Sequence, residues 1–118
     1  MQIQTTCGSN FITPASMISG AERKPGWKGV MTGKRADDIL ENQPVGTWLT
    51  RLENGKFFFS LKVRDQIFNA VDHHEIRWNL LEKCFCNWGP SHKGSTPEAV
   101  MHIKIMEAGL IGVARHLS

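Results

Sequence analysis

Two runs rich in aromatic and β-branched residues, Gly46-Thr47-Trp48-Leu49-Thr50-Arg51 and Lys56-Phe57-Phe58-Phe59-Ser60-Leu61-Lys62-Val63, stand either side of Leu52-Glu53-Asn54-Gly55. Asn-Gly between such runs is the strongest short-range signal for a β-hairpin, because the type I′ turn needs positive φ at both central residues. Period-2 alternation then puts Arg51 on one face with Leu49 and Thr47, the face expected to look into a core. A buried charge without a partner is costly, so Arg51 must be satisfied. Its partner is either an acid of the protein (Glu53, Glu75 or an aspartate) or an anion from outside. The residues alone leave both open.

The 118 residues suit one domain with a core of its own, and 41% hydrophobic with 21% charged residues is ordinary for a water-soluble chain. The 14 Lys and Arg exceed the 11 Asp and Glu by three. That surplus permits an anionic partner without the strong basicity usual in a nucleic-acid-binding domain. No apolar run approaches the roughly 20 residues of a membrane span, and the first residues lack the pattern of a signal peptide. The three cysteines are an odd number, with Cys84 and Cys86 too close along one strand to pair comfortably, so a reducing, cytoplasmic setting is expected.

Residues 1 to 26 mix Thr, Ser, Gly and Pro with little periodicity and are expected to form an irregular N-terminal extension that packs locally. The compact domain is expected over 27 to 118. Thr32 is placed to cap a helix whose buried stripe is Ala36, Ile39 and Leu40, with Asn42-Gln43-Pro44 as its stop. After the hairpin, Arg64-Asp65-Gln66 reads as a turn. Ile67 to Val71, Asp72 to Trp78 and Lys83 to Trp88 read as strands. Ser95 or Thr96 caps a second helix with Pro97 at its first position and Glu98 in its first turn, and Gly109 ends it. The expected class is α+β, a central antiparallel sheet flanked by two helices.

Several of these residues resemble the Src homology two (SH2) domain, the phosphotyrosine-recognition module. The resemblance runs through Trp27-x-Gly29, Ala36-Asp37-Asp38-Ile39-Leu40, Gly46-Thr47-Trp48-Leu49-Thr50-Arg51, Leu61-Lys62-Val63 and His73-His74-Glu75-Ile76-Arg77, with the Cys84-Phe85-Cys86 strand and the capped second helix following in order. It covers about residues 27 to 118 and implies a non-enzymatic module that binds tyrosine-phosphorylated peptides. On this resemblance Arg51 is the base of a phosphate pocket. That role suits a guanidinium fork, which meets two oxygens of a nearly doubly charged phosphate at once. Ser60 then holds the small position on the facing strand, and His73 orients the site. The peptide is expected across the sheet between the two helices, its later residues meeting loops 89–94 and 107–112.

Three departures mark a divergent member. Gly33 stands where the family usually carries a helix arginine reaching over the phosphate, leaving Lys34 and Arg35 as candidates to substitute, although helical spacing points Lys34 away from the buried stripe. The loop after Arg51 is short and carries Glu53. Glu75 stands where many members have a lysine, and is expected to turn outwards. Lys62, on the face of Ser60, is a candidate for the missing positive charge.

Domains of this kind are known chiefly in animals and in secreted effectors of some intracellular bacteria, so the expected setting is the cytoplasm, or a host cytosol for an effector. The alternative reading is a phosphoserine-reading or single-stranded nucleic-acid-binding domain on the same fold, with a lapsed pocket as a third. A zinc site from Cys84, Cys86, His73, His74 and His92 has poor ligand spacing, so core packing is the default for the cysteines and no metal or cofactor is expected. No Walker loop, dinucleotide glycines, paired catalytic carboxylates or framed nucleophile stand out.

Overall fold

The computed structural model describes residues 10–87 and 92–118. Within them the chain runs β1 (Phe11–Ile12), α1 (Ala15–Ala21), β2 (Trp27–Val30), α2 (Gly33–Leu40), β3 (Thr47–Glu53), β4 (Lys56–Lys62), β5 (Val71–Glu75), β6 (Arg77–Asn79), β7 (Cys84–Cys86), β8 (Lys93–Gly94), α3 (Pro97–Glu107) and β9 (Arg115–His116). The α+β class expected from the sequence is the class found.

The hairpin forms as its residues dictate. Asn54 and Gly55 have φ of 53° and 75°, the signs a primed two-residue turn requires. β4 pairs antiparallel with β3 in the register Leu49↔Ser60 and Arg51↔Phe58, and with β5 in the register Ser60↔His73. β2 and β9 lie parallel to β3, so the sheet is mixed at one side. β1, β6, β7 and β8 make a second, smaller sheet.

Thr32 accepts a bond from the Arg35 amide and caps α2, and Thr96 does the same for the Ala99 amide at the start of α3. Each cap satisfies one of the amides that a helix start leaves without an intrahelical partner.

Two apolar clusters lie on opposite faces of β3–β5. The larger holds Phe57, Phe59, Leu61, Ile76, Val100 and Met101 beneath α3. The smaller, beneath α2, is Ala36, Leu40 and Leu49 with Met31, Ile39, Val71 and Leu117 around it. Alternation along the strands makes the split, and Arg51, Ser60, Lys62 and His73 fall on the α2 face.

Three local expectations are corrected. Residues 15–21 are a helix and not irregular, because Met17 anchors the segment in the larger cluster. Ile67 to Ala70 are not strand: Ile67 and Phe68 are about 80% exposed (82% and 79%), so no packing draws them into the sheet, and the strand starts at Val71. The run 72–78 is divided between the two sheets at fully buried Ile76. The expected strand end at Trp88 and loop residues 89–91 lie outside the described residues.

Candidate functional site

Arg51 sits at the centre of the α2 face with only 2% of its surface exposed. β3 carries its Cα. Phe58, opposite it on β4, lays its ring against the guanidinium at 4.5 Å from the carbon to the ring centroid. This planar contact favours arginine over lysine. Around the rim the fork is bonded on several sides. Nε donates to Ser60 Oγ at 3.0 Å, and Nη1 donates to the Met31 carbonyl at 3.0 Å and to Glu53 Oε1 at 2.5 Å. Nη2 reaches His73 Nδ1 at 3.3 Å.

Behind this lies a relay. Ser60 Oγ is 2.7 Å from His73 Nδ1, and His73 Nε2 is 2.8 Å from Asp37 Oδ1 on α2. The partners assign the proton to Nε2, donated to Asp37, so that Nδ1 accepts the Ser60 hydroxyl proton. A guanidinium has five N–H protons. Four acceptors occupy them here, leaving one Nη2 proton without a partner among the described residues.

The internal pair left open by the sequence is therefore formed, and the acid is Glu53. On a strand, residues two apart share a face, so Glu53 follows Arg51 on the same side. Its carboxylate also accepts the Gly33 amide at 3.0 Å, at the first residue of α2, where the helix offers unsatisfied N–H groups to an anion. The Arg51 hydrogen bond is the main cause holding the Glu53 carboxyl below the usual carboxylate range. Unlike Arg51, the Glu53 side chain is 31% exposed.

Gly33 is fitted to this geometry. A Cβ there would stand 3.4 Å from Arg51 Nη2, in van der Waals contact with the fork. The position that the family resemblance assigns to a helix arginine is here a close backbone approach.

The remaining candidates divide. Ser60 and His73 are in place around Arg51. Lys34 is on the outer side of α2, its side chain 85% exposed and its ammonium 3.6 Å from Asp38. Arg35 is exposed next to it. Lys62 is a correction: buried, it donates to the Glu41 and Gln43 carbonyls at 2.7 and 2.8 Å, so its charge closes the C-terminus of α2 and not the Arg51 pocket. Glu75 is a second correction, since it does not turn out to solvent. Its side chain is 13% exposed, near Arg77 Nε at 4.0 Å.

Sequence reasoning missed Asp37, the Met31 carbonyl, the Gly33 amide and Phe58. Only Phe58 carried a signal, as a large ring facing Arg51 across the hairpin register.

Next to the cluster is a cavity of about 480 Å³ between α2 and the 66–71 loop, reached by Lys34, Asp37, Phe68 and His73. Its size is in the range of small-ligand sites. His73 is shared between the cavity and the Arg51 cluster. Asp37, Asp38 and Glu41 line it against the single cation Lys34, so its wall is acidic.

No protein-family model matches the sequence, and no curated protein does. Solved structures do match its fold. The SH2 domain of a CRK/CRKL homologue from Monosiga brevicollis aligns with a TM-score of 0.54 at 19% identity, over 79% of this chain and 86% of that one. CED-2 aligns with a TM-score of 0.50 at 17% identity, over 79% of this chain and 58% of that one. The chain thus has an SH2-like fold, the architecture that the sequence resemblance implied.

Proposed function

We propose that this protein is a binding module for phosphotyrosine-containing peptides, with Arg51 receiving the phosphate. The observation that carries the reading is a buried guanidinium held by neutral groups, the Ser60 hydroxyl, the Met31 carbonyl and the His73 ring, with one partly exposed carboxylate as its only acidic contact among the described residues. Ser60 and His73 fix the fork on two sides, and the SH2-like fold is consistent with the reading. The depth of Arg51 favours a long phosphorylated side chain, because a phosphoserine oxygen is tethered too near the backbone to reach the floor of a sheet. Lys34 and Arg35 supply surface charge at the α2 end of the site. No catalytic step is assigned to any of these residues.

A second reading is supported by the Arg51–Glu53 contact itself: a domain of the same fold in which the arginine is permanently neutralised and no anion binds. Binding measurements separate the two. A degenerate phosphotyrosine peptide pool, its phosphoserine and unphosphorylated counterparts, and single-stranded RNA at two salt concentrations are titrated by fluorescence anisotropy. Binding confined to the phosphotyrosine pool is expected. Removing one partner of a desolvated charge pair typically costs about 2–5 kcal/mol, so Arg51→Ala is expected to weaken binding by roughly tens to thousands of fold. Arg51→Lys keeps charge without the fork and serves as the folded control. Undiminished binding by a folded Arg51→Ala protein, or no phosphotyrosine binding at all, overturns the proposal.

A further inference from the structure

We infer that the Glu53 carboxylate is a built-in occupant of the anion position at Arg51, and that a phosphoryl ligand binds by displacing it. This rests on the phosphotyrosine reading and adds how the site is regulated and what it rejects.

Three observations converge. Glu53 Oε1 bridges the two donors that an external anion would want, Arg51 Nη1 at 2.5 Å and the Gly33 amide at 3.0 Å. Glu53 is the more exposed partner (31% against 2% for Arg51), and it is the last residue of β3 before the Asn54-Gly55 turn, so its side chain can leave while the guanidinium stays. Arg51 itself is retained by contacts that do not involve Glu53: Ser60, the Met31 carbonyl, His73 and the Phe58 face. Once the carboxylate swings out, one Nη1 proton, the spare Nη2 proton and the Gly33 amide face the same space. Three donors suit the three oxygens of a phosphate monoester better than the two of a carboxylate.

The consequence is a threshold. A tethered competitor acts at high effective concentration, so a ligand must outbid it. A phosphate near two negative charges can do so, whereas a glutamate side chain of a peptide, equal in charge to Glu53 but untethered, cannot. Affinity is reduced by the fraction of molecules in the open state. If the open rotamer holds about a tenth of the population, the site binds about tenfold more weakly than its intrinsic affinity.

The test compares wild type, Glu53→Gln and Glu53→Ser with the phosphotyrosine pool and with the same pool carrying glutamate in place of phosphotyrosine, each variant checked for fold by circular dichroism. Both variants are expected to bind the phosphotyrosine pool on the order of tenfold more tightly than wild type and to gain measurable binding of the glutamate pool. In isotope-labelled wild type, saturation with phosphotyrosine peptide is expected to shift the Gly33 amide and the Glu53 side-chain carboxyl resonances as the carboxylate is released. Wild-type binding with folded variants that bind no more tightly overturns the displacement and leaves the phosphotyrosine reading standing. An unmoved Glu53 carboxyl at saturation does the same even where a variant fails to fold. Absence of phosphotyrosine binding in wild type and both variants overturns both readings together.

Discussion

His73 and His74 are neighbours in one strand and do opposite things. Alternation turns His73 to the α2 face, where it joins Arg51, Ser60 and Asp37 in a polar network. His74 turns to the α3 face and stacks on Phe59 at 6.3 Å. There burial, reinforced by the Lys104 charge, pushes its pKa down to about 4. One face of this sheet is built from hydrogen-bonded charges over a small apolar cluster, and the other from aromatic and aliphatic packing. The α3 face coheres through the larger apolar cluster, and the α2 face sets buried polar and charged groups around a smaller one. Buried ionic groups are poor sources of net stability, since desolvation offsets most of their attraction.

The sharpest way to break the comparison is on the apolar face. Phe59 is fully buried against Trp48, with ring centroids 5.6 Å apart. Phe59→Ala is expected to cost about 3–5 kcal/mol of unfolding free energy, read by denaturant titration. At temperatures where the variant is folded, its phosphotyrosine affinity should stay near that of wild type. A large loss of affinity in the folded variant would mean the faces are not separable.

The second effect is acid lability from His74. Its folded pKa of about 4 lies below the ordinary value of 6.5, so the unfolded chain binds the proton more strongly. Stability from this group is complete above pH 6.5 and declines as pH falls towards 4. Allowing for its partial exposure, the loss over that window is on the order of 2 kcal/mol. Denaturant midpoints measured across the window should flatten in His74→Phe. A slope that survives the substitution assigns the lability elsewhere.

The smallest effect concerns Lys62. Its ammonium is spent on two carbonyls at the end of α2, so Lys62→Met should lower stability by about 1–2 kcal/mol. Phosphotyrosine affinity is expected to be unchanged. A tenfold loss of affinity without loss of stability would return Lys62 to the ligand site.

Much of this was legible along the chain. Asn54-Gly55 announced the hairpin, Thr32 and Thr96 announced the helix starts, and the spacing of Thr47, Leu49 and Arg51 announced an inward-facing arginine. These are short-range properties, fixed by φ preferences, capping and the two-residue period of a strand. They placed Arg51 on the inward face, while its grouping with Ser60 and His73 was implied by the family resemblance and is found in the structure.

What no local rule supplied was the choice of partners across distance. Residues 15–21 are helical because Met17 finds the core, although their composition reads as irregular. Glu53, Glu75 and the aspartates were equal candidates for Arg51 until the fold brought the α2 amide of Gly33 over the end of β3 and made that corner the best place for a carboxylate. Lys62 shares a face with Ser60, yet its ammonium meets the Glu41 and Gln43 carbonyls at the end of α2. The sequence decides which side of the sheet a charge lies on, because that depends on neighbours one and two residues away. The tertiary structure decides what the charge meets there, because an electrostatic partner is chosen by distance in space and by which donors and acceptors are already taken.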